Sequence, residues 1–370
     1  MTPDAKDSNK ISSLSLGYWA AHEQHSMQDL LQFVIEAEKN GFITTMTSDH
    51  FHPWWHDNAY GNFAWVWIAT AAERTKRMGF ITAVTAPIYR YHPAIIAQAF
   101  ASLDILYPGR IGLGLGTGEA MNEVPLGFDW PRPRARLDRM IEAAQIISRL
   151  WYSAKENCNN TSTDNEGFVY FNGEYFLIRN AKLYSPPTTH IPIFMAAAGP
   201  ESAKAAAMYS DGMITFLSAK ESRKIIEIFD KAIIEKSNGN KKSNSGGTSN
   251  GNIDHIEKIA EYKVSYSDDY EQALNSSRFW RATMIDNAFN SSISDPRKLE
   301  QKAKQQVTDK KLKEHIEITD SIENCIKSIE EYFRAGFSKV YVHSTSPSEI
   351  KFIQEFGKKV LPYFQEQLKK

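Results

Sequence analysis

Apolar strand-like runs alternate with helix-like segments along the whole sequence, and this alternation restricts the possible folds more than any other feature. The predicted strands are Leu14–Ala20, Phe42–Thr47, Met78–Thr85, Ile111–Leu115, Ile193–Ala197, Gly212–Phe216, Ile256–Ser265 and Lys339–His343. The predicted helices are Met27–Asn40, Ala64–Lys76, Pro93–Leu106, Arg132–Trp151, Glu201–Tyr209, Ala219–Lys236, Tyr270–Trp280 and Ile322–Ala335. Eight such βα units in 370 residues predict an α/β fold of the (β/α)8 TIM-barrel type with insertions.

A doubly wound dinucleotide-binding fold is disfavoured, because no glycine-rich fingerprint follows the first predicted strand. We expect residues 1–370 to form a single domain with polar interruptions. Residues 155–167 and 237–252 are polar and turn-forming, which predicts surface insertions, and the second is a Gly/Ser/Asn-rich segment typical of a mobile loop. Residues 291–313 are charged and predict a helical insertion before the last strand, suited to a lid or an oligomer contact.

The charge balance and the cysteine content limit the possible partners. The net charge is −1, from 43 basic and 44 acidic residues, which speaks against a nucleic-acid or membrane-surface partner. The two cysteines, Cys158 and Cys325, predict neither a disulfide framework nor a zinc site, and no metal is expected. No signal-peptide core or membrane-spanning run occurs in the sequence, so we expect a cytoplasmic protein that acts on a small molecule.

Polar or glycine-rich segments follow the first five predicted strands directly. They are His22–His25, Asp49–His50 with Trp54 close behind, Ala83–Pro87, Gly116–Glu123 and Ala196–Pro200. In a parallel barrel, the loops after the strands build the active site whatever the reaction. The shared position of these segments therefore predicts one site at one face of the barrel.

Two of these side chains are the strongest candidates for acid–base chemistry. An imidazole titrates near neutral pH, so His50 is the best candidate for a general base, with Asp49 beside it to orient a ring or to contact a ligand. Glu119, at the mouth of a strand, could act as an acid if it is enclosed. The alternatives are a structural histidine at position 50, and an N-cap or a surface ion pair at position 119.

Cationic side chains lie on and after the seventh predicted strand. Lys263 near the end of that strand would be costly inside a barrel unless it is paired. Its partner could be an anionic substrate group or an acid elsewhere in the fold. Arg278 and Arg281 on the next helix are weaker candidates for the same role. The turn at Ala197–Pro200 precedes a helix and either offers backbone N–H groups to an anion or only closes a tight connection.

Four longer segments make these candidates more specific. They are Ser48–Trp54, Arg90–Ala101, Tyr107–Arg110 and Gly116–Glu123. With them the chain resembles the deazaflavin-dependent branch of the bacterial-luciferase-like superfamily, in particular the F-420-dependent glucose-6-phosphate and secondary alcohol dehydrogenases. The resemblance implies a TIM barrel that holds coenzyme F-420, an 8-hydroxy-5-deazaflavin, at its carboxyl-end mouth. It also implies a homodimer.

The resemblance further implies roles for individual residues. The catalytic set would be His50 as the base for a hydroxyl proton, Trp54 beside the substrate, Glu119 as the acid near the deazaflavin ring, and Glu23 as a second acid. The cofactor contacts would be Asp49, Thr117, Gly118, Asn122 and, at the phosphate tail, the amides of Ala198 and Gly199. A non-proline cis peptide bond at Ala83–Val84 would support the ring.

The expected substrate depends on fewer residues. Sugar-phosphate enzymes of this group use a threonine and a lysine after the sixth strand and a lysine on the seventh. Lys263 matches the seventh-strand lysine, Lys220 fits only with a one-residue shift, and Phe216 stands in the threonine position. We predict, with Arg278 as a further phosphate contact, hydride transfer from a sugar 6-phosphate to F-420. A secondary alcohol substrate, an FMN-dependent monooxygenase and a catalytically silent barrel are the alternatives.

Overall fold

The structure is a computed structural model that describes residues 15–153, 166–242 and 256–367. Most of the two predicted surface insertions, residues 155–165 and 243–252, lies outside this part of the chain. The strands are β1 (Ser15–Ala20), β2 (Thr44–Thr47), β3 (Gly79–Thr82), β4 (Ile111–Leu115), β5 (Val169–Asn172), β6 (Leu177–Ala181), β7 (Ile193–Ala196), β8 (Gly212–Thr215), β9 (Glu257–Tyr266), β10 (Glu317–Thr319) and β11 (Lys339–Ser344).

Eight parallel strands close into a barrel, so the predicted (β/α)8 fold is confirmed. Their order is β1-β2-β3-β4-β7-β8-β9-β11, and β11 pairs with β1 to complete the circle. Each of them matches one predicted strand to within a few residues. Two smaller features were not predicted. The strands β5 and β6 form an antiparallel hairpin, and β10 pairs in parallel with the last three residues of β9.

The helices surround the barrel. They are α1 (Met27–Lys39), α2 (Ala64–Arg74), α3 (Pro93–Leu106), α4 (Ala120–Glu123), α5 (Pro133–Tyr152), α6 (Pro200–Tyr209), α7 (Ala219–Lys242), α8 (Tyr270–Ser277), α9 (Pro296–Gln306), α10 (Asp309–Lys313), α11 (Ile322–Arg334), α12 (Glu349–Glu355) and α13 (Leu361–Gln367). The predicted helical insertion at 291–313 corresponds to α9 and α10. The two C-terminal helices, α12 and α13, were not predicted.

Several helix ends follow from local sequence. Ser26 caps α1 by accepting a hydrogen bond from the Asp29 backbone N–H at 3.1 Å. Pro93 occupies the first turn of α3, where a missing N–H costs nothing. Gly41 and Gly336 each follow a helix with positive φ angles of 99° and 106°, a backbone conformation that favours glycine.

One prediction about local structure was wrong. Residues 237–242, expected to begin a mobile loop, form the last turns of α7. The Ser237 hydroxyl donates to the Ile233 carbonyl at 3.0 Å, so the turn continues directly from the preceding helix. That helix is docked through buried apolar residues, which include Phe229 and Ile233. Elongating a helix that already exists is much easier than starting one, so a polar composition does not stop it.

The barrel interior is filled below the carboxyl ends of the strands. Tyr341 lies fully buried there, and its hydroxyl is 2.7 Å from the Thr44 hydroxyl oxygen. Its ring lies where a side chain on Gly17 would project, since a Cβ there would be 2.3 Å from ring atoms. The interior is therefore a packed floor, and open space begins only toward the strand ends.

Candidate active site

One cavity of about 550 Å³ opens at the carboxyl ends of the barrel strands. Residues on or just after all eight barrel strands line it, as the strand-end argument predicted. Those lining residues include Glu23, His50, Trp54, Val84, Thr117, Glu119, Gly199, Phe216, Lys263 and His343. Its volume is in the range of sites for a cofactor together with a small substrate.

His50 lies between two acids at the cavity wall. Its Nε2 is 3.1 Å from Glu23 Oε1, and its Nδ1 is 3.8 Å from Glu119 Oε2. Glu23 is 2% exposed and also accepts a hydrogen bond from the Ser48 hydroxyl at 2.5 Å. The structure thus brings together the three predicted acid–base residues, which come from the loops after β1, β2 and β4.

Asn122 determines which nitrogen of His50 carries hydrogen. Its Oδ1 accepts a hydrogen bond from the Phe51 backbone N–H at 2.7 Å, which fixes the orientation of the amide. Its Nδ2 therefore donates to His50 Nδ1 at 3.1 Å and to Glu119 Oε2 at 2.9 Å. With Nδ1 accepting, the neutral imidazole carries its hydrogen on Nε2 and donates it to Glu23.

Trp54 forms the wall next to this histidine. Its ring makes an edge contact with His50 at 6.3 Å between centroids and another with Phe289 at 5.1 Å. Phe289 in turn stacks on Phe216 at 4.4 Å. This aromatic run separates the main cavity from a side pocket of about 120 Å³ that also borders Lys263.

Another part of the cavity wall is formed by Ala83, Val84 and Gly116. The peptide bond between Ala83 and Val84 is cis, as the resemblance implied. Val84 lies directly against Gly116, where an added Cβ would be 2.1 Å from the valine Cγ2. Thr117 and Gly118 continue this wall. Ala83, Gly116 and Gly118 carry little or no side chain, so a planar ring system such as a deazaflavin can approach this wall closely.

Unsatisfied and weakly bonded polar groups lie further along the cavity. Arg136 is 1% exposed, and its Nη1 donates to the Gly118 carbonyl at 3.2 Å, but its Nε has no partner among the described residues. The amides of Ala198 and Gly199 donate to the Ser202 hydroxyl over 3.3 and 3.2 Å. The donors at this end suit an anionic or carbonyl-rich group, so the cavity fits a deazaflavin cofactor with a charged tail.

Two predicted cofactor contacts lie outside the cavity lining. The Asp49 carboxylate accepts hydrogen bonds from the Thr85 hydroxyl at 2.8 Å, from Arg90 Nη2 at 3.1 Å and from the Tyr91 hydroxyl at 3.2 Å. These contacts hold the loops after β2 and β3 together. Asn122 is bonded to His50 Nδ1 and to Glu119 and is not among the lining residues. Both side chains support the wall of the site instead of forming its surface.

Lys263 is paired with an acid that was not predicted from the sequence. Its Nζ is 3.0 Å from Glu261 Oε1, two residues earlier on β9. The same oxygen is 2.5 Å from His343 Nδ1. Burial alone would raise the pKa of Glu261, but Lys263 and His343 lower it to about 2. Of the two partners that we considered for this lysine, the structure supplies the protein acid.

The other predicted phosphate contacts are not brought to the cavity. The Lys220 side chain is exposed at the start of α7 and is not among the lining residues. Arg278 forms a two-pronged contact with Asp309, through Nε at 3.1 Å and Nη2 at 2.7 Å, and Arg281 binds the same carboxylate. These arginines connect the segment that follows α8 to the start of α10.

The cavity residues that were missed include Trp19, Arg136, Glu261 and His343. Two of them had a readable signal. Glu261 lies two residues before Lys263 on a predicted strand, so both side chains share one face. His343 ends the eighth predicted strand and therefore lies at the predicted active-site face. Trp19 and Arg136 are buried in the structure, but no sequence pattern marked them as cavity residues.

The described residues hold no cluster of three or more His, Cys, Asp or Glu side chains that could bind a metal ion. Within the same ranges of the chain, no helix combines the length and the apolar character needed to cross a bilayer.

Comparison with known proteins places the chain among relatives of full length. Residues 14–339 match the family model described as luciferase-like monooxygenase. The F-420-dependent glucose-6-phosphate dehydrogenase 2 of Rhodococcus jostii is 35% identical over 352 residues, covering 94% of this chain and 97% of that protein. The F-420-dependent glucose-6-phosphate dehydrogenase of Microbacterium testaceum is 33% identical over 353 residues, covering 94% and 97%.

A solved structure gives the same relationship in three dimensions. An F-420-dependent secondary alcohol dehydrogenase, in complex with an F-420–acetone adduct, superposes with a TM-score of 0.84 at 33% identity. The superposition covers 95% of this chain and 99% of the other. The resemblance drawn from the four sequence segments is confirmed.

Proposed function

This chain belongs to the luciferase-like monooxygenase family, and from that premise we propose that it is an F-420-dependent dehydrogenase that oxidises a CH–OH group. The proposal is supported by full-length relatives named for F-420-dependent glucose-6-phosphate dehydrogenation and by the structural neighbour, an F-420-dependent alcohol dehydrogenase. It is carried by one observation on this chain: an imidazole held by two acids and an amide lines the main cavity.

F-420, when bound, accepts hydride from the substrate carbon, and the hydroxyl proton must then go elsewhere. In the proposed reaction His50 takes this proton at Nδ1, after the substrate hydroxyl replaces the Asn122 amide as the partner of that nitrogen. Glu23, on the other nitrogen, stabilises the imidazolium that results. Glu119 lies near Nδ1 on the cavity side, where it can serve as the acid toward the cofactor.

The proposed cofactor position follows from the shape and the donors of the cavity. The Ala83–Val84 peptide and Gly116 would support the ring, with Thr117 and Gly118 beside it. The charged tail would extend toward Ala198, Gly199 and the start of α6, where Ser202 now accepts the two backbone N–H groups. Asp49 and Asn122 would act by fixing the loops and His50.

The proposed substrate is a sugar 6-phosphate, for which the names of the sequence relatives are the support. A secondary alcohol is a second candidate, favoured by a specific observation. Lys263, the lysine expected to hold phosphate, is already neutralised by Glu261, and Phe216 and Phe289 close the space beyond it. A doubly charged phosphate there would need Lys263 to exchange partners.

A spectrophotometric screen tests both the reaction and the substrate. The protein is mixed with oxidised F-420 and with glucose 6-phosphate, free glucose or propan-2-ol, and loss of the visible cofactor absorbance is followed. Reduction of F-420 by at least one of these three compounds supports the proposal. A protein that copurifies with FMN and consumes oxygen, but never reduces F-420, is a monooxygenase and refutes it.

Lys263→Ala separates the two substrates. If phosphate is bound by Lys263, the apparent KM for glucose 6-phosphate rises much more than the KM for propan-2-ol. If the KM values change alike, Lys263 is no phosphate contact.

The proposal also includes a cytoplasmic homodimer with one domain per subunit, which rests on composition and family resemblance. Light scattering after size-exclusion chromatography tests the dimer.

A further inference from the structure

We propose that Glu261 and His343 form a second carboxylate–histidine pair that binds an additional hydroxyl group of the substrate. The inference rests on the proposed function, because it assumes that a substrate alcohol occupies the main cavity. It adds that this substrate carries a second hydroxyl near the reacting one. A diol or a sugar meets this requirement, whereas a simple secondary alcohol does not.

The ring of His343 carries its hydrogen on Nδ1. Glu261 is ionised at neutral pH and lies 2.5 Å from Nδ1, so Nδ1 carries a hydrogen and donates it. Burial lowers the pKa of His343, which is 1% exposed, so the ring is neutral. A neutral ring with its hydrogen on Nδ1 has a bare lone pair on Nε2.

The lone pair on His343 Nε2 has no partner among the described residues. His343 lines the main cavity, and its Nε2 is buried without a hydrogen-bond partner among the described residues. The indole Nε1–H of Trp19 is also buried without a hydrogen-bond partner among the described residues, and Trp19 also lines the cavity. The two rings are stacked in parallel, with centroids 5.3 Å apart. Buried polar groups of this kind are costly unless a ligand or water satisfies them.

The two unpartnered ring nitrogens of His343 and Trp19 require different hydrogen-bonding functions. The imidazole nitrogen needs a donor, and the indole N–H needs an acceptor. A hydroxyl group provides both functions, whereas a phosphate oxygen provides only an acceptor and would face the His343 lone pair unfavourably. Lys263, held by Glu261 on the far side, keeps the carboxylate in place and charged. A neutral hydroxylated part of the substrate therefore fits this end of the cavity.

The position of the pair agrees with this role. Glu261 and Lys263 come from β9 and His343 from β11, while His50 and Glu23 follow β2 and β1. Since β11 adjoins β1, both histidine–carboxylate pairs belong to the same part of the barrel mouth. A substrate could donate one hydroxyl to His50 and another to His343 at the same time. His343 is then a specificity-determining residue.

Matched substrates that differ by one hydroxyl test the proposal. The pairs are glucose 6-phosphate with 2-deoxyglucose 6-phosphate, and propane-1,2-diol with propan-2-ol. In the unaltered protein, kcat/KM should favour the hydroxylated member of at least one pair by about tenfold or more. His343→Phe should bring that ratio close to one, and Trp19→Phe should lower it partly. His56→Phe, at an exposed histidine outside the cavity, should keep the ratio unchanged.

A binding measurement distinguishes failure of this inference from failure of the proposed function. In unaltered protein labelled with ¹⁵N-histidine, adding propane-1,2-diol should shift the Nε2 resonance of a histidine with hydrogen on Nδ1. Such a shift without any F-420 reduction would refute the dehydrogenase and leave the hydroxyl site standing. No shift at saturating diol, or a substrate preference that survives His343→Phe, would overturn the inference. The resonance measurement does not require that the variant folds.

Discussion

Replacing Glu23 with glutamine tests how the buried carboxylate supports His50. The carboxylate is 2% exposed and lies 3.1 Å from Nε2, on the side of the ring away from the nitrogen that takes the proton. Glu23→Gln keeps the volume and one oxygen but removes the charge that stabilises the imidazolium. A buried hydrogen bond to a charged group contributes about 1.5–3 kcal/mol. Losing this stabilisation of the imidazolium in the transition state lowers kcat by roughly 10- to 100-fold.

The assay is steady-state reduction of F-420 with a saturating substrate. KM for the substrate should change less than kcat, because the imidazolium forms only as the proton is transferred. F-420 affinity, measured by titration, should remain within about threefold, since Glu23 lies beside the base and not along the wall formed by Ala83, Val84 and Gly116.

Glu349→Gln provides a matched control. Glu349 is a buried carboxyl that accepts a hydrogen bond from the Tyr18 hydroxyl at 2.9 Å and lies outside the cavity lining. Its replacement should leave kcat within about twofold of the unaltered protein. If Glu23→Gln also leaves kcat unchanged, Glu23 does not stabilise the charge on His50 and the proposed division of roles fails.

Three further predictions concern stability and specificity. Burial raises the pKa of Glu349 to about 7. The folded chain therefore holds a proton that the unfolded chain releases near pH 4.3, and the free energy of unfolding should fall by about 3–4 kcal/mol as the pH rises from about 4 to 7. Urea titrations of Glu349→Gln should lack this fall, and an identical pH dependence would contradict the assignment. Asp104→Asn should lower the free energy of unfolding by about 2–4 kcal/mol in urea titrations, because this buried carboxylate accepts hydrogen bonds from Thr188 and Thr189 that hold the segment before β7. Phe216→Thr should open the main cavity toward the side pocket and raise kcat/KM for glucose 6-phosphate relative to propan-2-ol, and an unchanged ratio would show that the Phe216–Phe289 stack does not restrict the substrate.

The fold and the location of the site were predictable because both depend on periodic patterns. Strand and helix periods set the order of elements, and the carboxyl ends of parallel strands must share one face. His50, Glu119 and Glu23 could therefore be expected in one place without knowing any distance. The end of α7 was misjudged because its polar composition does not reveal the docking of the preceding turns, which include Phe229.

The direction of individual side chains was less predictable. Asp49 precedes His50 directly, yet its carboxylate is bound by Thr85 and Arg90 from the loop after β3. A residue in a loop has no fixed period that tells which way it points. The partner of Lys263 could have been found from the strand period, but the contact between Glu261 and His343 joins residues 82 positions apart. Such a contact appears only when the barrel closes.

The most direct test of the central claim is an anaerobic reaction with F-420 and a substrate that is deuterated at the carbon bearing the hydroxyl. We predict that F-420 is reduced, that the deuterium is recovered in the cofactor, and that His50→Ala lowers kcat by about 100-fold or more. A reduced cofactor that carries only hydrogen from solvent would contradict hydride transfer from that carbon. An unchanged rate in His50→Ala would contradict its role as the base.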